Sequence, residues 1–187
     1  MTGRVKPWKV RNSRYLFRDR WLTVRVDHCV TPDNVEVPSY YVLEYPGWVN
    51  VVALDAEDHL ILVRQYRHAL GDVSLELPCG CMEAGETPLE TAARELLEET
   101  GYGNASRLTL VASLSPNTAA NTNLTHTVLA EGVSLIAQAH DDGVEVLEVE
   151  RVSLREGLNL AVSGAIMQAA HVAGLLLGLR AANKISF

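Results

Sequence analysis

The stretch from Gly80 to Tyr102, GCMEAGETPLETAARELLEETGY, constrains the fold of this chain more than any other part of its sequence. Thr87 is a good N-cap, Pro88 suits the first helical position, and Glu90 completes a capping box three residues after Thr87. Apolar residues recur at helical spacing, at Leu89, Ala92, Ala93, Leu96 and Leu97. The pattern therefore predicts a loop followed by a helix of about four turns that ends at Gly101.

Three glutamates share one polar face of this predicted helix. Glu95, Glu98 and Glu99 stand at positions i, i+3 and i+4, which brings their side chains together in what we expect to be an exposed cluster. Like charges held this close repel one another unless a cation neutralises them, and Mg²⁺ and Mn²⁺ take oxygen ligands of this kind. Taken alone, the cluster is also explained by a solvated acidic face in which Arg94 pairs with Glu98.

The spacing of this stretch resembles the Nudix box, G-x5-E-x7-R-E-U-x-E-E-x-G-U, in which U is a bulky apolar residue. The residues on its fixed positions are Gly80, Glu86, Arg94, Glu95, Leu96, Glu98, Glu99 and Gly101. Tyr102 occupies the final position, where aliphatic residues are more usual. The resemblance implies an α/β fold of the Nudix type, an α/β/α sandwich with a mixed central sheet. The box helix would lie on one side of the sheet and a C-terminal helix on the other.

Composition and charge narrow the remaining possibilities. The chain has 187 residues, 48% of them hydrophobic, which suits one main domain with its own core. A formal net charge of −7 argues against general nucleic-acid binding, because counterion release needs a basic surface. The apolar run 165–179 is too short for a membrane span and favours a buried helix.

The cysteines and the N-terminal residues indicate the compartment. Cys29, Cys79 and Cys81 are too few and too irregular for a disulfide framework, and Cys79-x-Cys81 lacks the second ligand pair of a zinc site. The first 20 residues are rich in Arg and Lys and lack the apolar core of a secretory signal. We therefore expect a cytoplasmic protein that binds neither nucleic acid nor membrane.

Residues 1–47 are organised differently from residues 48–187, and we expect an N-terminal β extension followed by the Nudix hydrolase domain. Alternation over residues 21–28, turn chemistry at residues 31–34 and a strand from Val35 to Leu43 predict a β-hairpin. In the ADP-ribose pyrophosphatase branch of the family, a comparable extension mediates dimerisation and lends aromatic residues to the substrate site. The resemblance therefore implies a homodimer.

The aromatic residue that we expect to stack on a nucleotide base is Trp8, with Tyr40 and Trp48 as alternatives. Aromatic residues in such a segment are also typical of simple packing.

The main domain shows a strand pattern on both sides of the box. We predict strands at residues 49–54, 60–66, 108–114, 124–130 and 144–152, and a last helix over residues 163–182. The sequences RQYR, ending at Arg67, and ELPCG, from Glu76 to Gly80, resemble the corresponding segments of the ADP-ribose pyrophosphatase branch. There the backbone carbonyl at the position of Cys79 is a metal ligand, so the replacement of the usual alanine by cysteine keeps the ligand.

The resemblance also assigns substrate contacts. Arg67 and Glu76 would contact the diphosphate, although an arginine at a strand end is also typical of a surface ion pair. Pro116 lies 15 residues after Gly101, where the branch commonly carries a proline. Asn117 stands where glycine is frequent, and this departure bears on the substrate more than on the chemistry.

The general base is the least determined of the catalytic residues. Related enzymes often supply an additional glutamate from the loop before the last strand, and Glu145 has the matching position. Glu148, Asp142, and the box residues Glu95 and Glu98 are the alternatives.

The resemblance implies hydrolysis of a nucleoside diphosphate linked to another moiety, with ADP-ribose giving AMP and ribose 5-phosphate. Two or three Mg²⁺ or Mn²⁺ ions would be held by Glu95, Glu98, Glu99 and the Cys79 carbonyl, with Glu98, Glu145 and Arg67 as catalytic residues. Gly80, Glu86, Arg94 and Gly101 would shape the box. The alternatives are another nucleotide sugar or dinucleotide as substrate, and a non-catalytic module that binds a nucleotide.

Overall fold

The computed structural model describes residues 5–140 and 146–186, and the chain divides into two compact units. The first unit consists of Met1–Pro46 together with Ser115–Asn123, and the second of Gly47–Leu114 together with Leu124–Phe187. The loop Ser115–Asn123 therefore belongs to the first unit, although the residues on both sides of it belong to the second.

The first unit contains a three-stranded antiparallel sheet of β1 (Lys9–Arg18), β2 (Thr23–Val30) and β3 (Glu36–Glu44), in that order. The predicted hairpin is confirmed as β2 and β3. Their turn is closed by a hydrogen bond from the Asn34 N–H to the Thr31 carbonyl, and Asn34 takes a left-handed φ of 60°. Strand β1 was not predicted, because all ten of its residues are exposed and no apolar face alternates along it.

The second unit is built on a mixed sheet. Its strands are β4 (Trp48–Asp55), β5 (His59–Arg67), β6 (Asp72–Glu76), β7 (Cys79–Cys81), β8 (Tyr102–Gly103), β9 (Arg107–Leu114), β10 (Thr125–Leu135) and β11 (Leu147–Ser153). Its helices are α1 (Pro88–Thr100), α2 (Leu154–Ser163) and α3 (Ala169–Ala181). The central strands run in the order β11-β5-β4-β10-β8, with β4 and β10 parallel and the remaining pairs antiparallel.

Alternation along β4 divides the core into two layers. Val49 and Val51 share a buried cluster with Ala92 and Leu96 of α1. Val52 and Leu54 share another with Leu175 and Leu179 of α3. Since successive residues of a strand point to opposite faces, α1 and α3 lie on opposite sides of the sheet. The predicted α/β/α sandwich with a mixed sheet is confirmed.

The C-terminal region differs from the prediction of one helix over residues 163–182. Two helices are present, because Ser153 caps α2 by accepting the Glu156 N–H at 3.2 Å and Gly164 ends it in a left-handed conformation. The Ser153-x-x-Glu156 spacing is the helix-start signal in the sequence that indicates α2. None of the helices in the described ranges combines the length and the apolar character that crossing a membrane requires.

Helix α1 begins and ends where its sequence predicts. The Thr87 hydroxyl accepts the Glu90 N–H, and the Glu90 carboxylate accepts the Thr87 N–H at 2.8 Å, which completes the capping box. At the other end Gly101 has a φ of 72° and donates its N–H to the Leu97 carbonyl at 2.8 Å. Because the caps set both ends of α1, Glu95, Glu98 and Glu99 lie in its last two turns.

Two helix-ending glycines allow a matched test of crowding at the end of α1. A Cβ on Gly101 would lie 2.2 Å from the Ala137 carbonyl oxygen, whereas a Cβ on Gly164, at a similar φ of 83°, would meet nothing within 4 Å. We expect Gly164→Ala to cost about 1–2 kcal/mol, the ordinary strain of a left-handed alanine. Gly101→Ala should cost at least about 1 kcal/mol more, because the backbone must also shift. Urea denaturation of both variants measures the difference, and equal losses would show that the Ala137 carbonyl does not crowd position 101.

Candidate active site

Helix α1 and strand β7 together position the acidic cluster. A Cβ on Gly80 would lie 2.0 Å from the Glu95 carboxyl group, so any other residue at position 80 would displace this carboxyl group from its place against the strand. The Glu95 side chain is 13% exposed and that of Glu98 is 51% exposed. The cluster therefore spans the boundary between the sheet and solvent.

Arg94 connects the cluster to the preceding loop. Its guanidinium donates to both oxygens of Glu86 at 2.8 and 2.9 Å and to the Cys81 carbonyl at 3.0 Å. It also donates to Glu95 at 2.7 Å and to Glu98 at 3.2 Å. One cation thus faces three carboxylates, which partly offsets their mutual repulsion.

Glu86 closes the loop in front of α1. Besides Arg94, it accepts hydrogen bonds from the Glu83 N–H at 2.9 Å and from the Thr91 hydroxyl at 2.8 Å. The Arg94 hydrogen bonds, followed by the Glu83 amide, lower the pKa of Glu86 from its usual 4.5 to about 2. Glu86 is therefore ionised at neutral pH.

Glu99 differs from the expectation of an exposed cluster. The residue is only 7% exposed, and its Oε2 accepts the backbone N–H of Cys79 at 2.8 Å. The reason is geometric, because Glu99 lies on the side of α1 that faces the sheet. Of the three glutamates only Glu98 is strongly exposed, so the cluster extends from the surface into the protein.

Arg67, the last residue of β5, and Glu76, the last residue of β6, form a two-pronged ion pair. The Arg67 Nε and Nη2 atoms donate to the two Glu76 oxygens at 2.9 and 2.6 Å. Burial of Glu76 opposes its ionisation, but the Arg67 hydrogen bonds outweigh this effect and the pKa of Glu76 stays below its usual value. The Arg67 side chain remains 33% exposed, so the pair presents an oriented guanidinium at the surface.

Glu76 also belongs to a buried group of ionisable side chains with Cys79 and His171. Donor atoms of Glu76, Cys79 and His171 lie within 4.8 Å of one another, and all three residues are buried. The Glu76 oxygens are engaged by Arg67, however, and the His171 Nδ1 accepts the Leu77 N–H at 3.1 Å. Burial also raises the pKa of the Cys79 thiol well above its usual value. This cluster is therefore a hydrogen-bonded support rather than a metal centre.

His171 was not proposed as a site residue from the sequence. The only available signal was that it interrupts an apolar run, and such a residue is more often a core histidine.

The residues predicted for the site fall into three groups. Those of the metal and diphosphate site lie in the second unit and are linked by contacts: Arg67, Glu76, Cys79, Glu95, Glu98 and Glu99. Trp8 and Pro116 both lie in the first unit. Glu145 and Asp142 lie outside the described residues.

The first unit holds its candidate substrate residues next to β3. The Trp8 ring meets the Tyr40 ring edge-on, with centroids 5.9 Å apart, and the Tyr40 hydroxyl donates to the Ala119 carbonyl at 2.5 Å. The loop 115–123, which contains Pro116, is tied to the same strand by hydrogen bonds between Leu43 and residues Ala120 and Thr122. Trp8 is 47% exposed, so much of its ring surface is open to solvent.

The donor set suits a hard divalent cation. The glutamates of α1 offer carboxylate oxygens only, and the space that Gly80 leaves for Glu95 would be filled by any side chain at that position. Oxygen ligands are those that Mg²⁺ and Mn²⁺ prefer. The residues present therefore fit the metal ions implied by the box.

Comparison with known proteins agrees with this geometry. The family model described as NUDIX domain matches residues 44–167, and the model described as nucleoside diphosphate sugar hydrolase N-terminal domain matches residues 8–43. A crystal structure titled as an ADP compounds hydrolase superposes with a TM-score of 0.83 at 25% identity, covering 98% of this chain and 100% of that one.

Curated relatives match over most of their length. The ADP-ribose pyrophosphatase of Bacillus subtilis is 34% identical over 143 residues, which are 73% of this chain and 77% of the relative. The ADP-ribose pyrophosphatase of Mycobacterium tuberculosis is 32% identical over 152 residues, or 77% and 72%. The methanol dehydrogenase activator of Bacillus methanolicus is 30% identical over 151 residues, or 79% and 80%.

The sandwich fold and the acidic helix define a hydrolase of the Nudix class, and the chain belongs to the NUDIX family. It is a Nudix pyrophosphohydrolase that acts on nucleoside diphosphate compounds. Enzymes of this family generally need divalent metal cations.

The Arg94–Glu86 pair predicts a change in acid stability. Because the Glu86 pKa is lower in the folded than in the unfolded chain, its contribution to stability is present above about pH 4.5 and is lost as the pH falls towards 2. In Arg94→Gln the Glu86 pKa should rise towards 4.5 and most of this pH-dependent contribution should be lost, while the hydrogen bonds from Glu83 and Thr91 retain the remainder. Carboxyl-carbon NMR titration of Glu86 measures the pKa, and urea denaturation between pH 3 and pH 7 measures the stability.

Arg151→Gln is the matched control for this prediction. Arg151 pairs with Asp55 and Glu57, so its loss should leave the Glu86 pKa unchanged. A Glu86 pKa that also stayed near 2 in Arg94→Gln would show that Arg94 does not cause the shift.

Proposed function

We propose that this enzyme hydrolyses ADP-ribose to AMP and ribose 5-phosphate with Mg²⁺ or Mn²⁺ as cofactor. The observation that carries the proposal is that the acidic residues of α1 adjoin the Arg67–Glu76 pair through Cys79. Relatives named ADP-ribose pyrophosphatase that match most of the chain support the same substrate.

The metal ions would be held by Glu95, Glu98, Glu99 and the backbone carbonyl of Cys79. When bound, they supply positive charge to the diphosphate and lower the pKa of a coordinated water. Arg94 holds Glu95 and Glu98 next to each other, and Glu99 holds the Cys79 amide, so the ligands are oriented before any cation binds. Glu86, Gly80 and Gly101 maintain the shape of the box.

In the reaction, the oxygen of a water attacks one phosphorus of the diphosphate, and the bond from that phosphorus to the bridging oxygen breaks. Arg67 would donate hydrogen bonds to the phosphoryl group that leaves, while Glu76 keeps the guanidinium oriented. AMP and ribose 5-phosphate would each depart with one phosphate.

We propose Glu145 as the general base that takes the proton of the attacking water. The described chain before this residue supports the proposal, because the His140 N–H donates to the Glu98 carbonyl at 2.8 Å at the end of α1. Glu148, an exposed residue of β11, and the box residues Glu95 and Glu98 are the alternatives within the described chain.

Trp8 would stack on the adenine base, and Pro116 would shape the same part of the substrate site. The exposed Trp8 ring supports this role. A nucleotide sugar other than ADP-ribose is the second candidate substrate, favoured by the match of residues 8–43 to a nucleoside diphosphate sugar hydrolase N-terminal domain.

The substrate is tested with a panel of ADP-ribose, other nucleotide sugars and dinucleotides, each with Mg²⁺ or Mn²⁺ and a phosphatase that releases phosphate from the products. We expect selective turnover of ADP-ribose. Glu98→Gln should lower kcat at least about a hundredfold and weaken Mn²⁺ binding, because a ligand charge is lost. Glu145→Gln should lower kcat with Mn²⁺ binding unchanged.

Glu83→Gln is the matched control, since it removes the same charge from an exposed position of the same stretch. It should keep wild-type activity. Turnover of a different compound would replace the substrate and keep the mechanism, whereas full activity of Glu98→Gln would contradict the metal assignment. Tight nucleotide binding without turnover of any compound would indicate a binding module.

We also propose that the enzyme is a homodimer in which residues 1–47 form the interface and residues 48–187 form the hydrolase domain. Exposed large apolar side chains on and beside β1 support this, namely Val10, Tyr15, Leu16, Phe17 and Trp21. An exposed edge strand with such side chains is a ready surface for pairing with a second chain.

If β1 lies in the dimer interface, a charge added on β1 should dissociate the dimer and a charge added on α2 should not. Leu16→Glu should shift the protein from dimer to monomer in light scattering coupled to size exclusion, because a buried charge without a partner destabilises an interface. Val162→Glu on α2, at a residue that is 77% exposed, should leave the dimer intact. A dimeric Leu16→Glu variant would exclude this side chain from the interface.

A cytoplasmic location is proposed from the thiols. All three cysteines lie in the described ranges, and none of them forms a disulfide there. Recovery of the native enzyme outside the cytosolic fraction would contradict this proposal.

A further inference from the structure

His171 reaches from α3 to the connection between two site strands. Its side chain is 0% exposed, and its Nδ1 accepts the backbone N–H of Leu77 at 3.1 Å. Leu77 lies between Glu76, the partner of Arg67, and Cys79, whose carbonyl is the proposed metal ligand. A helix on the far side of the sheet therefore contacts the backbone of the site directly.

Hydrogen bonds from three elements, β4, α1 and α3, anchor the connection from Glu76 to Cys79. The Val51 N–H of β4 donates to the Pro78 carbonyl at 2.8 Å, and Glu99 of α1 accepts the Cys79 N–H. Because Pro78 has no N–H, the donors between Glu76 and Gly80 are the amides of Leu77 and Cys79. One is accepted by His171 and the other by Glu99, a proposed metal ligand.

Burying a histidine at position 171 costs free energy that only a hydrogen bond to its ring can offset. Burial of an imidazole costs free energy, and the His171 Nε2 has no hydrogen-bond partner within the described ranges. Since Nδ1 accepts, the proton of the neutral ring lies on Nε2. An apolar side chain of the same size would fill the space without this cost, so the contact with Leu77 distinguishes His171 from ordinary core packing.

Close approach of α3 supports the contact. One turn beyond His171, a Cβ on Gly174 would lie 3.0 Å from the Thr127 hydroxyl and 3.6 Å from the Leu77 Cδ1. The absence of a side chain at this position lets the helix lie near Leu77, within hydrogen-bonding distance of its amide.

We propose that His171 is a positioning residue for the metal site, which acts by fixing the Leu77 amide and thereby the direction of the Cys79 carbonyl. The inference rests on the proposed function, specifically on Cys79 and Glu99 as metal ligands. It adds a residue outside the Nudix box, on a different helix, to the groups that set metal affinity.

Three variants separate positioning from packing. His171→Phe keeps a ring of similar size and removes the acceptor, while His171→Asn restores an acceptor near the position of Nδ1. Leu175→Ala creates a cavity one turn further along α3, where the leucine is 0% exposed, without touching the connection. Mn²⁺ affinity is measured by electron paramagnetic resonance without substrate, alongside kcat, KM and Tm.

We expect His171→Phe to weaken Mn²⁺ binding about tenfold or more, the usual range for a residue that orients metal ligands. The KM for the nucleotide at saturating Mn²⁺ should change little, and His171→Asn should recover most of the affinity. Leu175→Ala should lower Tm at least as much as His171→Phe and retain wild-type Mn²⁺ affinity.

Wild-type Mn²⁺ affinity in His171→Phe would overturn the inference, as would an equal weakening in Leu175→Ala. Comparison with Glu98→Gln separates a failure of the proposed metal ligands from a failure of the role proposed for His171. If the wild type binds Mn²⁺ no better than Glu98→Gln, the proposed ligand set fails and the inference with it. If Glu98→Gln weakens Mn²⁺ binding and His171→Phe does not, the ligand set stands and the role of His171 is excluded.

A measurement on the wild type covers the case in which His171→Phe does not fold. The Leu77 amide should be protected from hydrogen exchange, and its NMR resonance should shift when Mg²⁺ is added. Rapid exchange of this amide, or no shift at saturating Mg²⁺, would overturn the inference.

Discussion

The Arg94 guanidinium is the interaction on which the rest of the site depends. It binds Glu86 through two nitrogens and reaches Glu95, Glu98 and the Cys81 carbonyl with the same group. Without the Arg94 guanidinium, the carboxylates on adjacent turns of α1 would repel one another, and the Thr91 hydroxyl would remain as the hydrogen bond from α1 to Glu86 of the loop. The box is therefore one electrostatic unit, and it can keep its shape before any metal ion binds.

The connection from Glu76 to Cys79 holds the backbone of the site in place, as Arg94 holds its carboxylates. It joins the hairpin that orients Arg67 to the strand that faces the acidic helix, and its polar groups are held by β4, α1 and α3. Cysteine at position 79 is compatible with this arrangement, because the proposed ligand is a carbonyl and the thiol lies 3.7 Å from the Arg67 guanidinium. The site thus depends on both helical layers of the sandwich.

Local sequence signals predicted the elements whose ends are determined by neighbouring residues. The Thr87 capping box, Gly101 and the β2–β3 turn needed no tertiary information, because each is a hydrogen-bonding pattern within a few residues. Strand β1 was missed because neither face is buried within its unit, and α2 was missed although the Ser153 cap was visible. Patterning predicts what a core or a cap requires and is weak elsewhere.

By itself, the sequence determined the family, the sandwich fold and the carboxylates that carry the chemistry, because their spacing on one helix is a local property. Only the tertiary structure decided that Glu99 is buried against Cys79, that Glu76 is engaged by Arg67, and that His171 binds the Leu77 amide. The His171 contact spans 94 residues of sequence. Such contacts depend on how the helices pack on the sheet, and no pattern within a short stretch of chain records that packing.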